Sequence, residues 1–367
     1  MIVRKLTLRH FRNVPLATLV LEGGRQFFVG TNGQGKSNLL EAAGCITALR
    51  SFRTPDSRHL IMQGQAEAAI ACDVEREEGG PEHVVIKIGR EGKELWYGQT
   101  RVSRLADHIG RFPTVVFSSQ DLQLVRGAPA LRRRWLDLTL SAMDPDYLAA
   151  LQTYTRALAG RNSLLRRPDS NAAKQLPAFD RTLAPAGARI VALRRAGVEA
   201  LARLMEGAYG RLCEDGEGAS LSYLSVSSFE SGDQLLEALE AGRERDLRAG
   251  ATLIGPHRDD LGFQVRGADA KDFASEGQQR SAMLALRLAQ AAWFHARSGV
   301  RPVLLADDVL GELDPGRRER FWSALDPLSQ VIATGTERPA ASLGPWQVFT
   351  VAAGAFAPEI QSMGGIA

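Results

Sequence analysis

Residues 30–37 read Gly30-Thr31-Asn32-Gly33-Gln34-Gly35-Lys36-Ser37, the pattern G-x-x-x-x-G-K-S. The apolar and aromatic run 26–29 before it is typical of a buried strand, and residues 38–43 after it suit a helix. Strand, glycine-rich loop and helix form the context that a phosphate-binding loop requires, which disfavours a chance Lys-Ser pair after a glycine turn. The loop backbone can turn its N–H groups inward as an anion cradle, and the helix directs its positive end at the same place. Lys36 then reaches the β- and γ-phosphates, and the Ser37 hydroxyl binds Mg²⁺.

Composition indicates a globular protein of two or three domains. Hydrophobic residues make up 44% and charged residues 24% of the 367 residues, which provides ample material for a core. The formal net charge of +3 permits a nucleic-acid partner without requiring one. The scattered Cys45, Cys72 and Cys213 form no C-x-x-C pair, which argues against a disulfide framework or a zinc site. The N-terminus has no signal-type segment and no apolar run approaches the ~18 residues of a membrane helix, so we expect a soluble cytoplasmic protein.

Short apolar or alternating runs predict strands on both sides of the loop. The predicted strands lie at 2–8, 16–21, 26–29, 69–74, 84–88, 112–117, 302–306, 330–334 and 347–351. Those between Ala66 and Tyr97 form an antiparallel layer beside the nucleotide core. The residues from Gly354 onward read as a frayed tail.

Four polar residues near the loop are candidates for nucleotide contacts. Gln120 follows a buried strand, where a glutamine can bridge Mg²⁺ and an attacking water. Arg50, Arg53 and Arg58 follow the helix of the phosphate loop and either meet phosphates of ATP or of a bound polymer, or are solvated surface residues.

A long helical stretch begins at Arg132 and runs, with breaks, to about Gly250. Apolar residues recur every three or four positions over 147–158 and 183–212, with a polar loop at 166–171 between the two runs. The pattern predicts an antiparallel helix pair whose second helix has about 30 residues and is ~45 Å long. This predicted helical arm is rich in arginine, with Arg156, Arg161, Arg166, Arg167, Arg181, Arg189, Arg194, Arg195, Arg203 and Arg211. A phosphate-binding face is favoured over an ordinary charged surface, and the lack of a base-reading motif argues against sequence-specific binding.

Two later segments also carry functional signals. Ser275 and Gln278 predict a capping box at the start of an apolar helix, which either is only a well-capped helix or offers its N-terminus to phosphate. The buried strand 302–306 ends in Asp307 and Asp308, and desolvated carboxylates at such a place favour a cation. Asp307 suits Mg²⁺ opposite Ser37, while Asp308 points the other way along the pleat and can polarise the attacking water.

Taken together, these segments resemble the RecF family of ABC/SMC-type ATPases. The resemblance is carried by Phe11-Arg12-Asn13, Gly30–Ser37, Asp121-Leu122, Gly255-Pro256-His257-Arg258-Asp259-Asp260, Ser275-Glu276-Gly277-Gln278-Gln279-Arg280, Asp307-Asp308 and Gly335-Thr336-Glu337. The phosphate loop alone is widely shared, whereas the segments at 255–260 and 275–280 are more specific. An SMC arm would be hundreds of residues longer than the helical stretch found here.

The resemblance implies an α/β fold: an ABC-type P-loop ATPase head, with a mixed β core, flanking helices and an antiparallel β layer, plus an inserted α-helical arm domain. The expected domains are 1–130 for the N-terminal part of the head, 131–250 for the arm and 251–367 for the C-terminal part of the head.

The resemblance also implies how the site works. Two chains pair head to tail and trap two ATP molecules with Mg²⁺. One chain supplies the ATP-binding residues Gly30, Thr31, Asn32, Gly33, Gln34, Gly35, Lys36 and Ser37, with Gln120 at the water and Asp307 and Ser37 at the metal. The other chain contacts the γ-phosphate through Ser275, Gly277 and Gln278. Lys36 and Asp308 are the catalytic residues, and Asp314 lies at the dimer seam.

The chain departs from the wider superfamily at three places in the predicted site. Gln120 stands where many relatives carry Glu, and Asp308 is one methylene shorter than the usual glutamate. Thr334 and Thr336 flank the place where ABC transporters carry a switch histidine. The shorter acid and the threonines in place of the histidine lead us to expect slow hydrolysis of ATP to ADP and phosphate, suited to a switch and not to a motor.

By resemblance, the chain is expected to be an ATP-dependent DNA-binding clamp of recombinational repair and replication. It would bind duplex DNA near single-strand gaps and work with RecR and RecO in loading RecA. One alternative is the ATPase subunit of an ABC transporter, which the arginine-rich arm and the threonines in place of the histidine disfavour. The other is a non-catalytic scaffold, which the intact Lys36, Ser37, Asp307 and Asp308 disfavour.

Overall fold

The computed structural model describes residues 1–77, 79–166, 172–213, 217–226, 229–309, 313–340 and 343–359. In this part of the chain, contacts divide the residues into two compact units. The first unit comprises the described residues of Met1–Asp121, Arg211–Cys213 and Gln290–Ala367, and the second comprises those of Leu122–Gly210 and Glu214–Ala289. No helix in the described ranges is both long and apolar enough to cross a membrane.

Strands and helices are numbered here in chain order. The strands are β1 (Ile2–Phe11), β2 (Val14–Val20), β3 (Arg25–Val29), β4 (Glu67–Arg76), β5 (Gly80–Gly89), β6 (Gly92–Tyr97), β7 (Thr100–Arg101), β8 (Thr114–Ser118), β9 (Ala219–Leu224), β10 (Asp260–Val265), β11 (Ala268–Asp269), β12 (Val303–Asp307), β13 (Val331–Gly335), β14 (Gln347–Ala352) and β15 (Ala355–Pro358). The helices are α1 (Lys36–Ala48), α2 (Leu122–Arg126), α3 (Pro129–Ser141), α4 (Pro145–Arg166), α5 (Ala172–Leu212), α6 (Gly232–Ala249), α7 (Ala270–Phe273), α8 (Glu276–Ser298) and α9 (Pro315–Ala324).

The first unit contains a largely parallel sheet in the order β15-β14-β3-β13-β12-β8. All its pairings are parallel apart from the β14–β15 hairpin. Its inner strands are continuous apolar runs, as expected for strands covered on both faces. Because parallel strands end at the same edge, the residues that follow β3, β8, β12 and β13 are brought together there, which is where ligands bind in open α/β sheets.

A second sheet of the first unit is antiparallel, in the order β2-β1-β4-β5-β6-β7. Its strands alternate between buried and more exposed residues, most regularly in β4, so one face packs on the core. Buried residues from both sheets meet in one hydrophobic cluster, to which α1 contributes Leu39, Leu40 and Ile46. The antiparallel layer predicted between Ala66 and Tyr97 is therefore confirmed, and it also includes the N-terminal strands.

The C-terminal region corrects one prediction. The frayed tail predicted from Gly354 onward is wrong for Ala355–Pro358, which pairs with β14 and forms the edge of the sheet. Phe28 stacks on Phe349 with ring centroids 4.7 Å apart and meets Phe356 edge-on at 6.0 Å, so the hairpin packs onto the central strand β3. A four-residue strand ending in proline is too short for a periodic signal, and it is defined by its pairing with β14 and by the contact of Phe356 with Phe28. The rest of the predicted tail lies outside the described residues.

The second unit contains the predicted antiparallel helix pair, α4 and α5. The structure extends α5 to 41 residues, about 62 Å at the rise of an α-helix, where about 30 residues were predicted. Pro177 and Pro185 lie inside this helix. Each proline removes one backbone hydrogen bond, and the buried apolar face of the helix outweighs that loss. Most of the loop predicted between the two helices lies outside the described residues.

The stretch from Arg132 to Gly250 is not helical throughout, because β9 lies between α5 and α6. This strand pairs with β10, with Leu221 opposite Phe263, and forms a three-stranded sheet in the order β11-β10-β9. The pairing joins residues after Gly250 to the second unit, which continues to Ala289. The observed division therefore differs from the predicted domain boundary at 250. That boundary followed the order of segments along the chain, which gives no sign that β9 and β10 pair from either side of α6.

Two of the arginines assigned to a phosphate-binding face are buried instead. Arg161 is 0% exposed and donates to Asp180 at 2.7 Å and to Asp246 at 2.6 Å. Arg194 is 3% exposed and donates to Asp137 at 2.7 Å. A buried charge is tolerated only when it is paired and hydrogen-bonded, so these arginines hold the helices of the second unit together. The sequence pattern shows that the helices contain many arginines but not which of them point inward.

The Gly-Pro-His-Arg-Asp-Asp segment forms a turn of 3₁₀ helix with internal polar contacts. The His257 ring lies 2.7 Å from the Tyr154 hydroxyl and 3.0 Å from the Thr252 carbonyl oxygen. Burial lowers the pKa of His257, so the ring is neutral at physiological pH. Asp260 accepts two hydrogen bonds from Arg132, at 2.7 and 2.8 Å. The segment therefore joins α3, α4 and β10 within the second unit.

The buried ion pairs predict a large and selective effect on stability. Replacing Arg161 with leucine leaves the buried Asp246 carboxylate without its cation and removes one of the two arginines paired with Asp180, which should cost about 3–5 kcal/mol. The matched control is Arg189→Leu, because Arg189 forms an exposed 3.3 Å pair with Asp146, worth roughly 0–1 kcal/mol. Urea unfolding followed by far-UV circular dichroism measures both. Equal midpoints for the two variants would contradict a core role for Arg161.

Candidate nucleotide-binding site

The loop between β3 and α1 forms a tight cradle around its lysine. Gly35 precedes the helix with φ of 110°, a left-handed conformation that favours glycine. Lys36 is 3% exposed, and its ammonium donates to the carbonyl oxygens of Gly30 at 2.6 Å and Thr31 at 3.2 Å. A side chain at Gly30 would collide with the carbonyl oxygen of Val351, so only glycine fits where the loop leaves β3. The loop therefore holds a cation at the N-terminus of a helix, an arrangement that suits an anionic ligand.

A cavity of roughly 740 Å³ opens at this cradle. Its lining includes Asn32, Lys36, Ser37, Asp308, Thr334 and Thr336, all of which belong to the first unit. The volume is within the range of sites that bind small molecules and cofactors.

The acid pair lies at the end of β12, beside the phosphate loop. The Ser37 hydroxyl donates to Asp307 Oδ1 at 2.8 Å, and the Thr334 hydroxyl donates to the same oxygen at 3.0 Å. Thr334 accepts in turn from the backbone N–H of Asp308 at 3.1 Å. Burial raises the pKa of Asp307, while the hydrogen bonds from Ser37 and Thr334 oppose that shift. One buried threonine therefore orients both predicted acids.

Asp308 has an unusual backbone and lines the cavity. Its φ of 54° lies in the left-handed region, which is uncommon for a residue other than glycine. Such strain of about 1–3 kcal/mol persists where surrounding contacts hold it, often at functional sites. The Thr334 hydroxyl is one such contact. The structure places Asp308 in the cavity wall beyond the end of β12, so its direction follows from the positive φ and not from the predicted pleat.

The chemistry of the donors fits Mg²⁺. The Ser37 hydroxyl and the Asp307 carboxylate are hard oxygen ligands, and Mg²⁺ is commonly bound through one or two such protein groups plus phosphates and water. Among the described residues, no group of three or more His, Cys, Asp or Glu side chains could hold a metal ion. A metal at this site would therefore depend on a phosphate ligand for the rest of its coordination.

An ion-pair network lies behind the phosphate loop, and it could not be predicted as a network from the sequence. Glu41 on α1 is 0% exposed and accepts two hydrogen bonds from Arg12, at 2.7 and 2.9 Å. Arg53 lines the cavity and lies 3.3 Å from the same carboxylate. Of the three arginines that the sequence left open between phosphate contacts and the solvated surface, Arg53 is thus at the cavity, whereas Arg58 pairs with Asp56 on the surface. The Phe-Arg-Asn segment that contains Arg12 is a visible motif, but nothing in the local sequence marks Glu41 on α1 as the partner of Arg12.

Comparison with known proteins identifies the family. The family model described as the RecF/RecN/SMC N terminal domain matches residues 2–347. A protein of Thermosynechococcus vestitus named "DNA replication and repair protein RecF" is 38% identical, with 97% of each chain covered. A protein of the same name from Symbiobacterium thermophilum is 36% identical, with 96% of this chain and 97% of that one covered. The chain belongs to the RecF family.

Solved structures agree with this assignment. The structure of a recombination mediator protein RecF with ATP, from the RecFOR pathway, matches with a TM-score of 0.88 and 27% identity, covering 98% of this chain and 97% of that one. The Smc head domain of Pyrococcus furiosus matches with a TM-score of 0.54 at 15% identity, which shows a shared fold alone. The predicted α/β ATPase head fold is confirmed. As a RecF family member, the chain is an ATP-binding protein of DNA replication and repair.

Of three further predicted site residues, only Thr336 is among the residues that line the cavity. Gln120 is exposed in the short 3₁₀ turn after β8, next to Ser119, which lines the cavity. Asp314 caps α9 by accepting from the Arg317 N–H at 2.9 Å, and this bond lowers its pKa. Thr336 is exposed in the cavity wall. The water-associated role of Gln120 and the dimer-seam role of Asp314 stay predictions.

The predicted capping box is confirmed at the start of α8. The Ser275 hydroxyl accepts from the Gln278 N–H at 3.3 Å, and Gln278 Oε1 accepts from the Ser275 N–H at 2.9 Å. Gln278 also donates to Glu217 at 3.0 Å. These residues, with Gly277, belong to the second unit, whereas the cavity lining belongs to the first. Their contact with ATP across a dimer stays a prediction.

Thr334 provides a sharp test of the site. Thr334→Val keeps the shape of the side chain but removes the hydroxyl that bonds both Asp307 and the Asp308 N–H. We therefore expect ATP turnover to fall about 10-fold or more, the size of effect seen when residues that support a metal ligand are changed. Thr334→Ser keeps the hydroxyl and should remain within about 3-fold of wild type, a loss that the missing methyl alone can explain. Steady-state phosphate release measures both, and equal rates for the valine and serine variants would contradict the role of the hydroxyl.

Proposed function

We propose that this chain is an ATP-dependent, DNA-binding switch of recombinational repair and replication. The observation that carries the proposal is the set of hydrogen bonds linking Ser37, Asp307, Thr334 and Asp308, because it joins the phosphate loop to both acids. A protein that only bound nucleotide would not need an oriented second carboxylate in a strained conformation beside the cavity.

The residues of the cavity have separate roles in ATP hydrolysis. Backbone N–H groups of the loop hold the phosphates, and the Lys36 ammonium exchanges its bonds to Gly30 and Thr31 for charge-assisted bonds to phosphate oxygens. Ser37 and Asp307 would hold Mg²⁺, which when bound would neutralise charge that develops on the transferring phosphate. Asp308 orients the attacking water and accepts its proton.

Completion of the site requires a second copy of the chain. The exposed Ser275 and the half-buried Gly277 and Gln278 lie at the start of a 23-residue helix, whose positive end suits the γ-phosphate of ATP held by the partner. ATP would then hold two chains head to tail, and hydrolysis would release them. The RecF-ATP structure that this chain resembles supports nucleotide binding in such a head.

DNA is proposed as the second ligand, with duplex next to a single-strand gap as the preferred form. Support comes from the family names, which refer to replication, repair and recombination mediation. Exposed arginines on the long helices, Arg156, Arg181, Arg195 and Arg211, provide candidate phosphate contacts without base readout. RecR, RecO and RecA are the proposed protein partners, in line with the RecFOR pathway named for the solved relative.

A dimerisation experiment on gapped DNA tests the proposal. Asp308→Asn keeps the side-chain volume but cannot accept the proton, so this variant should dimerise with ATP on DNA and dissociate at least about 10-fold more slowly than wild type. Lys36→Arg should impair ATP turnover, because a planar guanidinium does not reproduce the compact ammonium that the Gly30 and Thr31 carbonyl oxygens hold. Multi-angle light scattering measures dimers, fluorescence anisotropy measures DNA release, and phosphate release measures turnover.

The matched control is Asp326→Asn, which makes the same chemical change at an exposed carboxylate paired with Arg301 at 3.1 Å. It should behave as wild type in all three assays. If Asp308→Asn and Lys36→Arg both hydrolyse ATP at the wild-type rate, the site assignment is wrong. If ATP binds but neither dimers nor DNA complexes form, the switch function is wrong.

A further inference from the structure

The C-terminal hairpin of the first unit contacts the phosphate loop through its turn. Ala353 and Gly354 join β14 to β15, and both have positive φ, 48° and 78°. Two such residues between paired antiparallel strands form a type I′ turn. A side chain at Gly354 would place its Cβ 2.6 Å from the Asn13 carbonyl oxygen, so the turn packs against the backbone of the β1–β2 connection.

Both free N–H groups of this turn are bonded to a single residue of the phosphate loop. Ala353 N donates to Gln34 Oε1 at 2.6 Å, and Gly354 N donates to the Gln34 carbonyl oxygen at 2.8 Å. The hairpin ladder offers these two donors no acceptor, so Gln34 satisfies them. The Gln34 amide is thus engaged by the hairpin, while its loop neighbours Asn32 and Lys36 line the cavity.

The opposite end of the hairpin also contacts the cavity wall. Glu359, just past β15, accepts from Arg338 at 2.9 Å and from the Thr350 hydroxyl at 2.9 Å. Arg338 lines the same cavity as the phosphate loop. The hairpin therefore contacts residues of the nucleotide cavity at both of its ends, and a change at the cavity can reach it through either contact.

We propose that Gln34 is a positioning residue, which latches the phosphate loop to the C-terminal hairpin and so orders the cradle before ATP arrives. Ordering a flexible glycine-rich loop costs conformational entropy, and a contact that has already ordered it raises the affinity of the ligand. Coupling is reciprocal, so bound ATP must stabilise the hairpin by the same factor. The inference rests on the nucleotide-binding part of the proposed function and on no DNA or dimer step.

An affinity measurement with isosteric variants tests the latch. Gln34→Met keeps the length of the side chain but removes the acceptor, and should weaken binding of a fluorescent ATP analogue roughly 3- to 10-fold, the size expected for one hydrogen bond. The KM for ATP should rise by a similar factor and by more than kcat changes, because ground-state binding is affected. Gln347→Met is the matched control, since it makes the same chemical change on β14 and removes hydrogen bonds to Val20 and Glu22 but none to the loop, and should retain the wild-type affinity.

Amide hydrogen exchange provides a readout that simple packing would not move. In wild type, Mg²⁺-ATP should slow exchange of the Ala353 and Gly354 amides, and in Gln34→Met this protection of Ala353 should disappear. Gln34→Glu keeps an acceptor and should retain the protection of the Ala353 amide. ATP binding by wild type without any change in hairpin exchange, or unchanged affinity and protection in Gln34→Met, would overturn the latch. Failure of wild type to bind ATP would instead overturn the proposed function.

Discussion

The hydrogen bond between the Ser37 hydroxyl and Asp307 is the contact on which the site depends. It joins the helix start that follows β3 to the end of β12, although the two residues are 270 positions apart. These strands are not adjacent, because β13 lies between them, and Thr334 at the end of β13 binds the same carboxylate oxygen. The parallel register of three strands therefore sets the distance between the phosphate loop and the acids.

Most of this site was predictable from local sequence. The glycine loop, the strand that ends in Asp307 and Asp308 and the capping box at Ser275 each have a pattern confined to a few residues, and the structure confirms these elements. Contacts between residues from distant segments were harder to predict. The pairing of Arg12 with Glu41 and the bonds of Gln34 to the C-terminal hairpin arise only from packing, for which neither segment carries a local signal.

The arm illustrates the difference between counting charges and locating them. Its arginines suggested one phosphate-binding face, yet Arg161 and Arg194 are inside the unit, paired with aspartates that local pattern did not connect to them. Helical periodicity identifies the apolar stripe, but a buried arginine breaks that stripe and reads as polar. The fold class was nevertheless predictable, because the order of the larger segments along the chain defines it.

A metal-exchange measurement tests the central claim most directly. Ser37→Cys replaces the hard oxygen ligand with a soft sulfur, which Mg²⁺ binds poorly and Cd²⁺ binds well. If Ser37 and Asp307 hold the metal of the bound nucleotide, affinity of the variant for a fluorescent ATP analogue should be at least about 10-fold higher with Cd²⁺ than with Mg²⁺. Wild type should show no such preference for Cd²⁺. An unchanged order of metal preference in Ser37→Cys would contradict the account.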